Sequence, residues 1–164
     1  MSVVACRVYQ DKIVFAADSI GLRGYAKQNN IIKLRETNGM IIGSAGLCQD
    51  FSLLYHFCQT HRPEAPTEKC VLEFYAEFEK FRREYTRDTD FTSDYLLAFR
   101  GHAFSISFML VEEITDYYAI GAGRDFATAA LYLGEKPEEA VKVACKLHCF
   151  VSEPVIRCEM ERHA

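Results

Sequence analysis

The sequence predicts an α+β fold, a four-layer αββα sandwich, and three observations carry that expectation. The first two strands are apolar on both faces, so they need cover on two sides. The elements come in blocks: strands, two helices, strands, two helices, and a final strand. The first helical block carries apolar residues in stripes at helical spacing, suited to lying on a sheet. With 164 residues, 49% hydrophobic and 26% charged, the chain has the size and composition of one globular domain spanning 1–164.

Each element has a local reason. Residues 2–9 and 12–18 are β-branched and apolar around a Gln10-Asp11 interruption, which reads as two central strands. Residues 19–30 are polar and carry Gly21 and Gly24, a loop with a short strand. Strands at 31–34 and 40–44 flank Asn38-Gly39, a strong hairpin signal. Leu47, Phe51, Leu54, Tyr55 and Cys58 make one helical stripe, stopped by Pro63 and Pro66. Thr67 can cap the next helix, whose stripe is Val71, Phe74, Tyr75, Phe78, Phe81 and Tyr85. Strands return at 95–100 and 103–110 around Gly101-His102, and again at about 113–119. Gly121-Ala-Gly123 breaks that run. Helices follow at about 124–133 and 137–150, the second opened by Pro137, and a strand closes the chain at 155–159.

Composition narrows the function. A net charge of −4 argues against a nucleic-acid-binding face. No apolar run reaches the roughly 18–20 residues that span a bilayer, and no secretory signal opens the chain. The seven cysteines are spread singly through apolar segments, which fits buried thiols in a reducing cytoplasm better than a disulfide framework. No nucleic-acid, membrane, metal or cofactor partner is expected. The Gly121-Ala-Gly123 turn lacks the third glycine and the downstream acid of a dinucleotide site, so it reads as a sharp strand-to-helix turn. Cys145, His148 and Cys149 share helical spacing, but no fourth metal ligand accompanies them and nothing activates one thiol.

The remaining signal is the N-terminus. Ser2 follows Met1, and removal of the methionine would leave a hydroxyl and a free α-amine on one residue. That amine can act as general base toward its own hydroxyl. Such a residue matters only if a central strand carries it into a cleft beside a cation and an oxyanion donor.

The order Ser2-Val-Val-Ala-Cys-Arg-Val, Val14-Phe-Ala-Ala-Asp18-Ser19, Lys33, Ile42-Gly-Ser-Ala-Gly46 and Ala119-Ile-Gly-Ala-Gly123 resembles a proteasome β-type subunit. It is most similar to the short bacterial HslV-type peptidases and bacterial proteasome homologues, over nearly the whole chain. The resemblance implies the N-terminal-nucleophile αββα fold. It puts Ser2 where the family has its threonine nucleophile, Asp18 and Lys33 on the charged pair beside it, and Gly46 on the oxyanion N–H. It also implies stacked homo-oligomeric rings, a peptide or unfolded-protein substrate and a possible ATP-dependent unfoldase. Departures are plain: serine replaces threonine, Ala122 replaces a serine, and Cys149 stands where an aspartate is expected three residues before Ser152. Three readings stay open. The chain is a self-compartmentalising peptidase subunit, a non-catalytic ring or scaffold subunit, or an amidase acting on a small molecule. The eight aromatic residues on the first two helices exceed what one helical layer needs, so some are expected at a contact between rings.

Overall fold

The computed structural model describes residues 2–23, 26–86 and 93–162. Met1 and Gly24, which enter the reading above, lie outside them. Four strands form one antiparallel sheet in the order β10 (Tyr117–Ile120), β1 (Val4–Val8), β2 (Lys12–Ala17) and β11 (Ile156–Glu161). Five form a second: β5 (Leu34–Thr37), β6 (Met40–Ala45), β7 (Asp94–Phe99), β8 (His102–Ser107) and β9 (Leu110–Ile114), again antiparallel. A two-stranded ribbon, β3 (Gly21–Arg23) with β4 (Ala26–Gln28), stands apart from both.

Side-chain alternation builds the layers. Cys6, Phe15 and Ala17 of the first sheet meet Leu34, Ile41 and Leu96 of the second in a core between the sheets. On the other face of the first sheet, Val3, Ala5, Ala16 and Ala119 pack against Ala127, Ala130, Ala140 and Ala144 of α3 (Arg124–Tyr132) and α4 (Pro137–Leu147). Alanine on both sides lets that helical layer lie close to the sheet. The opposite layer, α1 (Cys48–Cys58) and α2 (Glu68–Tyr85), packs large rings on Tyr95, Phe99 and Phe104. The result is the four-layer αββα sandwich.

Several boundaries differ from expectation. The strand placed at 31–34 starts at Leu34 instead. The strands expected at 103–110 and 113–119 are three, because Phe108 and Met109 both take positive φ (47° and 65°) and turn the chain between β8 and β9. Arg100 and Gly101 do the same between β7 and β8, leaving His102 in the strand. Helix α4 ends at Leu147 with His148 as its cap, which removes the helical spacing that linked Cys145, His148 and Cys149. The aromatic surplus also disappears. Phe51, Phe57, Phe74, Tyr75 and Phe78 are buried, Tyr55 and Phe81 are half-buried against them, and only Tyr85 is exposed. Nor are all the thiols buried: Cys6 and Cys58 are, but Cys48 and Cys149 are exposed.

Candidate functional site

Antiparallel pairing determines where the site lies. β1, β5 and β7 begin at one rim of the sandwich, where β2, β6 and β10 end. Ser2 precedes β1, Asp18 follows β2, Lys33 precedes β5 and Gly46 follows β6. Four residues far apart in sequence therefore meet at one edge. Ser2, Lys33 and Gly46 line a cleft of about 540 Å³ together with Ile20, Ile31 and Cys48, and Asp18 lies directly behind Lys33.

Asp18 is fully buried and its carboxylate is densely bonded. Lys33 Nζ donates to Oδ1 at 2.8 Å and Oδ2 at 2.9 Å. The Val3 N–H donates to Oδ1 at 2.9 Å, and the N–H groups of Ile20 and Ser152 to Oδ2 at 3.2 and 3.5 Å. Charge-assisted bonds of this number are what a buried carboxylate requires. They also tie the start of β1, and so Ser2, to the end of β2. Burial holds the Lys33 ammonium below the ordinary lysine range, against the opposing pull of Asp18.

Ser2 is buried, and its carbonyl accepts from the Gly123 N–H at 3.1 Å. Gly121 sits so close that a Cβ there would lie 2.3 Å from that carbonyl oxygen, and its φ is +94°. Only glycine fits. The Gly121–Gly123 turn thus receives the backbone of Ser2 and starts α3, which accounts for its glycines without a dinucleotide. Ala122 between them brings no hydroxyl.

Gly46 has φ +153°, and a Cβ there would lie 2.2 Å from Ser93 Oγ. Ser152 accepts from Lys27 Nζ at 3.0 Å as well as reaching Asp18 through its N–H. The three backbone donors on Asp18 and the thiol of Cys48 in the cleft are additions that the sequence did not announce, because backbone donors carry no residue signature. Among the described residues no group of three His, Cys, Asp or Glu side chains could hold a metal, and no helix is long and apolar enough to cross a membrane. A larger groove of about 880 Å³ between β8, β10 and α3 contains none of the four site residues.

The layers and strand order are those of the proteasome β-type fold, which solved structures similar to this chain share. The structure of Thiobacillus denitrificans BPH in complex with epoxomicin is similar to this chain with a TM-score of 0.88 at 19% identity, covering 99% of this chain and 100% of that one. Eukaryotic HslV from Trypanosoma brucei gives 0.70 at 19% identity, over 98% of this chain and 99% of its own. Anbu (ancestral beta-subunit) from Yersinia bercovieri gives 0.74 at 17%, over 98% and 81%. At these identities the likeness is one of fold. No protein-family model matches the sequence, and the comparison with curated proteins found no match.

Proposed function

We propose that the chain is a subunit of a self-compartmentalising peptidase in which Ser2, exposed by removal of Met1, is the nucleophile. The observation that carries this reading is the meeting of Ser2, Lys33 and Gly46 at one cleft, with Asp18 behind the lysine. Ser2 Oγ attacks the scissile carbonyl while its own α-amine takes the hydroxyl proton. The Gly46 N–H stabilises the developing oxyanion, a contribution of about 3 kcal/mol for one such donor. Collapse of the tetrahedral intermediate breaks the C–N bond. The amine returns its proton to the leaving nitrogen, leaving an ester on Ser2 that water then hydrolyses. Lys33 supplies a fixed positive field that lowers the proton affinity of the Ser2 groups, and Asp18 keeps that charge in place. The substrate is a peptide or an unfolded protein, admitted to a chamber of stacked rings and supplied by an ATP-dependent unfoldase.

One observation favours the non-catalytic ring subunit instead. Ala122 lies in the turn that holds Ser2, and Cys149 is exposed, so neither supplies the hydroxyl or carboxylate that would orient the α-amine. Intact mass separates the two readings. The peptidase requires loss of Met1 and one adduct per chain with a peptide-like electrophile; epoxomicin, bound by the Thiobacillus neighbour, is the first to try. Ser2→Ala should abolish both adduct and turnover while assembly persists, since only Oγ is lost. Full turnover in Ser2→Ala would remove Ser2 as the nucleophile, and a retained Met1 would leave the scaffold reading standing.

A further inference from the structure

Behind the Gly46 turn lies a buried polar chain that the mechanism above does not use. The Leu47 N–H, which begins α1 and has no cap from its own side chain, donates to Ser93 Oγ at 3.0 Å. That hydroxyl donates in turn to Asp50 Oδ2 at 2.8 Å. Asp50 is fully buried in the first turn of α1, and its Oδ1 has no hydrogen-bond partner among the described residues. The Arg82 guanidinium of α2 stands 3.7 Å from that oxygen, also buried, and is held by two bonds to Glu79 at 3.1 and 3.0 Å. A carboxylate this deep with one oxygen left unbonded is a costly way to fill a core. Among the described residues its hydrogen bond comes from the Ser93 hydroxyl, and Ser93 is the residue against which Gly46 is packed.

We propose that Ser93 and Asp50 are positioning residues that clamp the Gly46-Leu47 turn, so that the Gly46 N–H stays aimed at the cleft where the oxyanion forms. This rests on the reading of Gly46 as the oxyanion donor. Ser93 acts as acceptor for the turn and donor to Asp50, and the Arg82 guanidinium on the far side of the carboxyl holds Asp50 in place against Ser93. Both roles pass through Leu47, and neither side chain touches the substrate.

Hydrogen exchange at the Leu47 amide, with kcat and KM for a fluorogenic peptide, tests the clamp in the assembled protein. Ser93→Ala should speed Leu47 exchange about tenfold or more, because its acceptor is gone. It should also lower kcat about tenfold or more with KM within about twofold, since the lost interaction matters only in the transition state. Asp50→Asn should move both quantities in the same direction but less, about threefold, because the amide can still bond the Ser93 hydroxyl but no longer fixes its direction; wild-type values there would remove Asp50 from the clamp. Unchanged Leu47 exchange in Ser93→Ala would overturn the clamp. Faster exchange with undiminished kcat would overturn its link to catalysis. A wild-type protein without turnover would instead sink the reading of Gly46, and exchange alone would then decide whether Ser93 holds the turn.

Discussion

Lys33 is the most expensive side chain at the rim. An ammonium withdrawn from water is stable only if a carboxylate meets it, and Asp18 does so with both oxygens. Three backbone N–H groups share that carboxylate. Removing the lysine therefore leaves a charge that is partly satisfied rather than bare. Lys33→Ala should cost about 3 kcal/mol, the lower end for a broken buried pair, read as a shift in urea midpoint. It should also end turnover, since among the described residues lining the cleft Lys33 is the one cation. Lys33→Arg should recover part of the stability but not the rate, because a planar fork cannot take the place of a compact ammonium that meets both oxygens of Asp18 in the cleft. Wild-type turnover in Lys33→Arg would show that the field at Ser2 does not depend on this geometry. Ser2→Thr should be accepted and should raise the rate if rotamer freedom of the serine limits attack, since a β-branched side chain restricts χ1. A loss of turnover in that variant would mean that the cleft has no room for the methyl.

Among the elements, turn chemistry decides what the sequence reveals. Asn38-Gly39 announces its hairpin, and φ values of 51° and 73° fulfil what a type I′ turn demands. Phe108-Met109 adopts the same hand with two residues that resist it, so no residue type marks the turn and the alternation runs on through it. That is why two strands are expected where three exist. The end of α4 was hidden for a related reason: the apolar residues continue past Leu147 although the helix does not. Charged positions were easier, because Asp18 and Lys33 stand at the ends of strongly apolar segments. The strained turn supports a direct test. Phe108→Asn with Met109→Gly should raise stability by about 1 kcal/mol or more, by relieving left-handed backbone at residues that carry a Cβ. A lowered urea midpoint would show that the two side chains contribute more to the fold than their turn geometry costs. Phe108 is 74% exposed, so few contacts within the chain are at stake.

At the scale of the whole molecule, the apolar surface lies where the sequence did not put it. The aromatic residues of α1 and α2, Tyr85 apart, are used up against the five-stranded sheet. Exposure falls instead on the outer helical layer, with Tyr132 at 76%, Leu133 at 79%, and Leu147 and Phe150 also open, and on the β8–β9 turn. A free protomer would leave these side chains in water, the usual mark of a surface that meets another protein. Alanine-rich packing explains the asymmetry. Small residues on the inner faces of α3 and α4 hold that layer close to the sheet, while the large residues at its outer ends stay exposed. If the proposed rings form, a side-to-side contact must join unlike faces of neighbouring protomers, and stacking must join like faces. Light scattering at micromolar concentration should then report a particle above about 200 kDa. Tyr132→Glu with Leu133→Glu should reduce it to smaller species, because two charges would have to be buried at the contact. Tyr85→Glu, on the opposite helical layer, should leave it unchanged. A wild-type protein that scatters as an 18.7 kDa monomer would defeat the ring and the enclosed chamber together. A large particle indifferent to the Tyr132 and Leu133 changes would keep the ring and move its contact to another face.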